Sequence, residues 1–515
     1  MMTVQKIILT ALLGFFSTGA FFACTDFLEL NKKSGPNPAL AALALLAGGG
    51  GPGPGPGPGP GSQGGLSWSA AADITAPGSG SVLYYAADMN EKGDIVVAYL
   101  ALHNSGSPFT GQIQNLLLYA SVRVNGVWSH PTNERDIIMA CGDSPAFCGS
   151  IPLKALVHMD ENGKASVVFA QQEGLTFRLF RSVFNAGTWT RPTAAADSFT
   201  FAGVNVNDWD LAAARNGDAV VLWDTSVNSY ISRYVNGVWS DPLDSTVTEN
   251  NLIVSPSPIY KYVLLNDGTL IQAGISGTLD SGVIRTYANV FSASVAAPSV
   301  ETPVITGYYF LSGTPAANNA GNGFVLWQVT DNLISGPYRA TMSLHNAGFW
   351  THPDAANPNL SGVLHTGAGY AEAALMNEAG VGIAASTLQT SPLEHGVFVT
   401  ENFGGTMRLP AGVEENHHYL LADGYSDVGL DLDSTGNALV AWVYSDGAGA
   451  YQAFRAEYRG GAWSDPASSA HGFGQGADSG KVRAFLADDT GHGFIIWQRM
   501  LSNGTMILKY SEHNP

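Results

Sequence analysis

Apolar and polar positions along this chain repeat in a fixed order. A glycine opens a short apolar run and an aromatic commonly closes it, as in GDAVVLW (Gly217–Trp223). The segment recurs as GDIVVAY (Gly93–Tyr99), GKASVVF (Gly163–Phe169), GTLIQAG (Gly268–Gly274), GNGFVLW (Gly321–Trp327), GVGIAAS (Gly380–Ser386), GNALVAW (Gly436–Trp442) and GHGFIIW (Gly491–Trp497). The opening glycines stand 70, 54, 51, 53, 59, 56 and 55 residues apart. Continuous apolar runs of this length between turn residues predict strands buried on both faces. Their even spacing predicts a repeat architecture.

Each unit carries further strands around that run. A short apolar strand ending in a turn precedes the glycine, as in LAAARNG (Leu211–Gly217) and ALVHMDENG (Ala155–Gly163). A third strand such as YISRYVN (Tyr230–Asn236) follows, then a tight turn into a Gly-x-Trp strand ending before Pro131, Pro192, Pro242, Pro353 or Pro466. Proline lacks the ladder donor, so a strand stops there. Four hairpin-linked strands per unit are a propeller blade. The eighth unit ends after its third strand, TMILKYS (Thr505–Ser511), while LSWSA (Leu66–Ala70) stands alone at the front with Trp68. The predicted fold is therefore all-β, an eight-bladed β-propeller closed by an N-terminal strand pairing with the last blade. Seven blades result if the fourth or sixth unit, both without the Trp, is not a true blade.

Charge and composition restrict the partners. The formal net charge is −19 with 13% charged residues, which opposes nucleic-acid binding. Residues 1–23 read as a lipoprotein signal peptide, with Lys6 ahead of the apolar stretch Ile7–Ala23. The stretch ends at Cys24 in a pattern that resembles a bacterial lipobox, which implies lipidation of Cys24. Residues 24–65 read as a tether, because alternating Gly and Pro (Gly48–Gly65) can build neither helix nor ladder. The propeller takes 66–515. In an exported chain, the pair Cys141 and Cys148 reads as a disulfide pinning one loop.

The repeat pattern resembles the sialidase-like (BNR-like) bacterial β-propellers over about Leu66–Pro515. That resemblance implies a possible carbohydrate-active hydrolase, but no unit contains the S-x-D-x-G-x-T-W box. Three arginines for a substrate carboxylate cannot be assigned among the 14 present. TG-to-Trp segments at Asp433–Trp442 and Asp488–Trp497 resemble quinoprotein docking motifs only in part. DLDSTGN (Asp431–Asn437) has the start of a calcium loop, yet Trp442 occupies the twelfth position where a bidentate acid belongs. Asp, Asn and Gly are also simply what tight hairpins require. No cofactor and no metal site is expected.

Variable connections emerge on one side of the ring, and function favours loops on a rigid scaffold. The candidate ligand face therefore holds Arg135, the Cys141–Cys148 loop, Asp208, Trp209, Asp210, Glu414, Glu415, His417 and Tyr419. Asp208 and Asp210 share one side of an inner strand, and EENHHY (Glu414–Tyr419) reads as a loop entering the seventh blade. The expected function is a lipid-anchored cell-envelope protein, monomeric, whose propeller is a non-enzymatic module recognising a protein or glycan. The alternative is a sialidase-like hydrolase or a glycan-binding protein. On either reading the membrane is a partner through the N-terminal lipid.

Overall fold

The computed structural model describes residues 68–102, 116–139, 154–173, 175–225, 228–242, 260–275, 281–292, 297–304, 309–330, 338–346, 348–353, 361–365, 369–391, 394–401, 418–422, 428–445, 451–459, 462–464, 473, 478–487 and 491–513. The expected signal peptide with Cys24, the tether, and Cys141 with Cys148 lie outside them.

The described strands form eight antiparallel sheets, seven of them meanders in chain order from the inside outward and the eighth completed by the N-terminal strand. The first blade is typical: Ser81–Met89 is innermost, then Ile95–Leu102, Leu116–Val124 and Val127–Ser129. The other inner strands are Ala155–Met159, Asp208–Ala213, Lys261–Leu264, Tyr309–Ala317, Gly369–Met376, Val428–Leu432 and Asp478–Leu486. The fourth and sixth units are complete sheets despite lacking the outer Trp; Ser299–Glu301 and His418–Ala422 serve as their outer strands. The fifth sheet gains a fifth strand, Ser361–His365, beside Tyr338–Asn346.

The N-terminal segment closes the last sheet, as the lone Trp68 segment predicts. Ala72 and Asp73 pair with Tyr510 and Lys509, and Trp68 bridges His513. Ser69 N donates to Glu512 O at 2.8 Å. Joining the first strand to the last removes the exposed edges that an open array would present.

The second strands explain the recurring motif. Val96, Val167, Val221, Trp223, Trp327, Trp442 and Trp497 are all 0% exposed, because each of these strands lies between two neighbouring blades. The repeat glycines take left-handed backbone; Gly217 has φ +81°, and a Cβ there would lie 2.9 Å from Glu161 N of the preceding blade. Glycine thus meets two demands at once, the turn geometry and close approach of adjacent turns.

Hydrogen bonds cross every junction of the circle. Asn90 Nδ2 donates to Asp160 O (2.8 Å), His158 Nε2 to Gly217 O (2.8 Å), Asn216 N to Asn266 Oδ1 (3.1 Å) and Asn266 N to Asn319 Oδ1 (2.7 Å). Asn318 Nδ2 donates to Asn377 O (3.3 Å), Asn377 Nδ2 to Asp433 O (3.0 Å), Leu486 N to Asp431 Oδ2 (2.6 Å) and Tyr85 Oη to Ile496 O (3.0 Å). Seven of these eight bonds come from the hairpins after the inner strands or from residues beside them, so the Asn/Asp turns are the seam that holds one blade to the next.

Candidate functional site

In a meander of this order, all inner strands start on one face, here the upper face. The connections between blades emerge there too. Asp208 is the first residue of the third inner strand and Asp210 lies two residues on. Strand alternation places both on one side of the sheet, with Cα atoms roughly 7 Å apart. That side faces the fourth blade, where Tyr262 packs against the apolar cluster that Ala212 and Val220 form with Leu264 and Leu270.

Trp209 points the other way. It is 2% exposed and packs with Val168, Leu179 and Trp223 between the second and third blades. Its expected place on the ligand face is therefore corrected: the indole is core, because the alternation that presents Asp208 and Asp210 buries the residue between them.

Lys154, immediately before the second inner strand, organises the start of this site. Its Nζ lies 2.9 Å from Asp208 Oδ1, also donates to Trp209 O, and sits 5.1 Å from the Trp209 ring centroid. Burial pushes the Asp210 carboxyl above its ordinary range; Lys154 and the Leu211 N–H oppose that, and Asp208 adds to it. The Tyr262 phenol is also raised, first by burial and then by Asp210. Tyr262, Gln272 and Arg285 occupy one cross-strand row of the fourth blade. Arg285 Nη1 donates to Gln272 Oε1 at 3.0 Å, and Gln272 Nε2 to Tyr262 Oη at 3.4 Å. Arg285 also stands 5.4 Å from the Tyr260 ring centroid, and Lys261 Nζ donates to Thr314 Oγ1 at 3.0 Å.

The result is a carboxyl pair with unlike surroundings, Asp208 and Asp210, with a third carboxyl group, Asp224, directly across the hairpin from Asp208, beside a lysine, two tyrosines and an arginine. Such a set can donate a proton, hold a compensating negative charge and hydrogen-bond hydroxyl-rich ligands. Sequence reading found the two aspartates through NDWD. It missed Lys154, Tyr262 and Arg285, whose roles depend on which blades become neighbours.

Of the remaining expected face residues, the two that are described, Arg135 and Tyr419, do not join this cluster. Arg135 lines a separate cavity between the first and second blades. Glu414, Glu415 and His417 lie outside the described residues. Tyr419 belongs to the outer strand His418–Ala422 of the sixth blade, so that part of EENHHY is paired strand and not a loop entering the seventh blade. In DLDSTGN, Asp433 accepts from Thr435 N (2.9 Å), Thr435 Oγ1 (2.8 Å), Asn437 N (2.8 Å) and Asn437 Nδ2 (2.7 Å), the bonding of a capped hairpin.

The opposite end of the channel has a different character. Arg215 reaches from the third blade to Met376 O of the sixth (3.3 Å) and lies 3.8 Å from Glu91 of the first. It thus spans a cavity of about 200 Å³ that also takes in His158, Glu161 and Asp431.

No family model and no curated protein matches the chain. Solved structures resembling it include polysaccharide lyases, glycoside hydrolases and a lectin, all at low identity. A polysaccharide lyase of family PL25, an ulvan lyase, is 8% identical over 86% of this chain and 95% of its own, with a TM-score of 0.40. An α-L-arabinofuranosidase from Fusarium graminearum is 9% identical over 87% and 98%, TM-score 0.32. The fucose-specific lectin of Aleuria aurantia is 12% identical over 60% and 93%, TM-score 0.31. At these scores the propeller assignment rests on the sheet order and closure described above.

Proposed function

We propose that the protein is carbohydrate-active and works on a glycan at the upper mouth of the propeller channel. Asp210 is the proton donor and Asp208, held by Lys154, is the second carboxyl group. This takes up the alternative offered by the sequence in preference to a purely non-enzymatic module. The observation that carries it is the Asp208–Asp210 pair: two carboxyl groups on one strand face, one bonded to a lysine and the other raised by burial. Glycoside hydrolysis needs such a division between an acid and a carboxylate roughly 5–10 Å away. Tyr260, Tyr262 and Arg285 supply aromatic and hydrogen-bonding surface beside it.

The test is a glycan array followed by reducing-end assays on the glycans bound. Asp210→Asn is expected to keep binding and lose turnover by about 10²–10⁴-fold, the usual contribution of a positioned acid. Binding without turnover in the wild type would return the protein to the class of recognition modules. Binding that is unaffected by changes at both aspartates would remove the channel mouth as the site.

The N-terminal reading is proposed alongside. Cys24 carries the lipid that anchors the protein to a bacterial membrane, the tether holds the propeller away from it, and Cys141–Cys148 pins a loop near the ligand face. Cys24→Ser is expected to abolish fatty-acid labelling and shift the protein to the soluble fraction.

A further inference from the structure

Where two blades meet, the third strand of one faces the Gly-x-Trp strand, or its N-terminal counterpart, of the next. The facing position is the cross-strand partner of the fifth residue after each repeat glycine, and it holds Ala120, Arg181, Ile284, Arg455 and Tyr510 in the first, second, fourth, seventh and eighth blades. Most of these side chains cover the neighbouring tryptophan. Arg181 lies 4.0 Å from the Trp239 ring centroid and 4.6 Å from Phe199. Arg455 is set the same way between Trp68 (4.6 Å) and Phe473 (5.2 Å), Tyr510 lies 4.9 Å from Trp128, and Ile284 shares a cluster with Trp350.

The junction of the first and second blades breaks this rule. Ala120 cannot reach Trp189, and a cavity of about 360 Å³ stands there, lined by Ala120, Ile138, Trp189, His130, Arg135 and Arg191. The charge is inverted as well. Beside Arg181, Asp241 two residues after Trp239 supplies the counter-charge at 2.7 Å. Two residues after Trp189 the chain has Arg191, which donates to Ile137 O at 3.1 Å. Where its sister has an arginine inside and an aspartate at the edge, this gap has space inside and an arginine at the edge.

The charged groups around the gap leave a positive balance. Asp136 also borders the cavity and is held as a carboxylate, since its Oδ2 accepts from Thr132 N (2.7 Å), Thr132 Oγ1 (2.7 Å), Asn133 N (3.1 Å) and Asn133 Nδ2 (3.1 Å) within its own loop; it is one negative charge against the guanidiniums of Arg135 and Arg191 in the same lining. His130 is stacked on Trp128 and its Nδ1 meets Ser121 Oγ at 3.1 Å; burial lowers its pKa, so it is neutral near pH 7.

We propose that this gap binds a carboxylate carried on a six-membered ring, a hexuronic acid of a glycan. The apolar face of the ring covers Trp189 as Arg181 covers Trp239, and the carboxylate pairs with Arg191, with Arg135 at the rim. Arginine is suited to this because its planar fork matches a carboxylate, and the volume is that of a small-ligand site. The choice of a sugar rests on the carbohydrate reading above; the preference for an anion follows from the gap alone.

The experiment is calorimetric titration of the full chain in detergent with sodium glucuronate, glucose or guanidinium at low salt. Glucuronate is expected to bind at least about tenfold more tightly than glucose, each tenfold being about 1.4 kcal/mol, and guanidinium not to bind. Ala120→Arg, which fills the gap with the side chain of the second and seventh blades, is expected to abolish glucuronate binding. The double variant Ala120→Arg with Arg191→Asp rebuilds the Arg181–Asp241 pair, so it should fold even where the single variant does not, and still not bind. Asp210→Asn should leave this binding unchanged, which separates failure here from failure of the channel reading. Glucuronate binding no better than glucose, binding that survives in the folded double variant, or binding lost with Asp210→Asn would each overturn the proposal.

Discussion

On the lower face, the inner-strand hairpins are linked by hydrogen bonds at seven of the eight junctions, as at Asn318 to Asn377, Asn377 to Asp433 and Asn266 to Asn319. On the upper face the polar groups among the described residues follow no such relay. Lys154, Asp208, Asp210, Tyr262 and Arg285 come from three different blades and from non-equivalent positions. The hairpin groups that form this relay have partners supplied by the repeat itself; Arg215, which crosses the same end of the channel to Met376 O and Glu91, is an exception to it. The upper groups named here are arranged once only, and one of them, the half-buried Asp210, is desolvated at an energetic disadvantage that the repeat does not require. Repetition marks what closes the ring, and departure from it marks what can act on a ligand.

The contrast is broken most strongly at Asp210. Its pKa is raised, so the folded state holds the proton more tightly than the unfolded chain does. Its contribution is favourable below the ordinary carboxylate value and is lost as pH rises through the folded value. Above that range the charged carboxyl destabilises the fold. Asp210→Asn is therefore expected to raise the melting temperature at pH 7 and to have little effect near pH 3.5. Wild-type turnover is expected to fall as pH rises through the same titration, because the acid loses its proton. A melting temperature that is lowered equally at both pH values would mean that Asp210 is a structural partner like the lower-face residues.

The next test is on the lower face. Asn377 is 0% exposed; its Oδ1 accepts from Val381 N at 2.9 Å while its Nδ2 serves Asp433 O. Asn377→Ala leaves a buried donor and acceptor without these bonds, and the expected loss is about 2–3 kcal/mol. Urea unfolding measures it. Glycan binding at the upper face of the folded variant should be unchanged.

Much of this fold was legible because one physical demand recurs in every unit. GDAVVLW reads as a second strand since a strand between two blades must be apolar on both faces, and Trp68 reads as a closing element since the eighth unit lacks an outer strand. The misreadings share a different cause. Trp209 looked like a ligand-face aromatic beside two aspartates, but strand alternation sends it into the core. Tyr419 looked like loop because EENHHY is a dense polar cluster of two acids and two histidines, whereas backbone pairing with Glu394–Val397 draws His418–Ala422 into an outer strand. The Ala120 gap could not be seen locally at all. An alanine in a strand is unremarked until its register with Arg181 and Arg455 shows which side chain is missing.

The smallest effect is expected at the rim of the lower face, and it tests whether the relay acts through buried bonds or simply through their number. Glu378 accepts from Asn319 N (3.1 Å) and from Asn319 Nδ2 (2.5 Å), but these bonds are exposed. Water can replace the carboxylate at both donors, so Glu378→Ala should cost less than about 1 kcal/mol. Asn377, one residue earlier in the chain, makes a similar number of bonds with no access to water. A urea midpoint that falls as far for Glu378→Ala as for Asn377→Ala would show that the seam depends on bond count; a shift several times smaller supports burial as the reason these turns hold the ring.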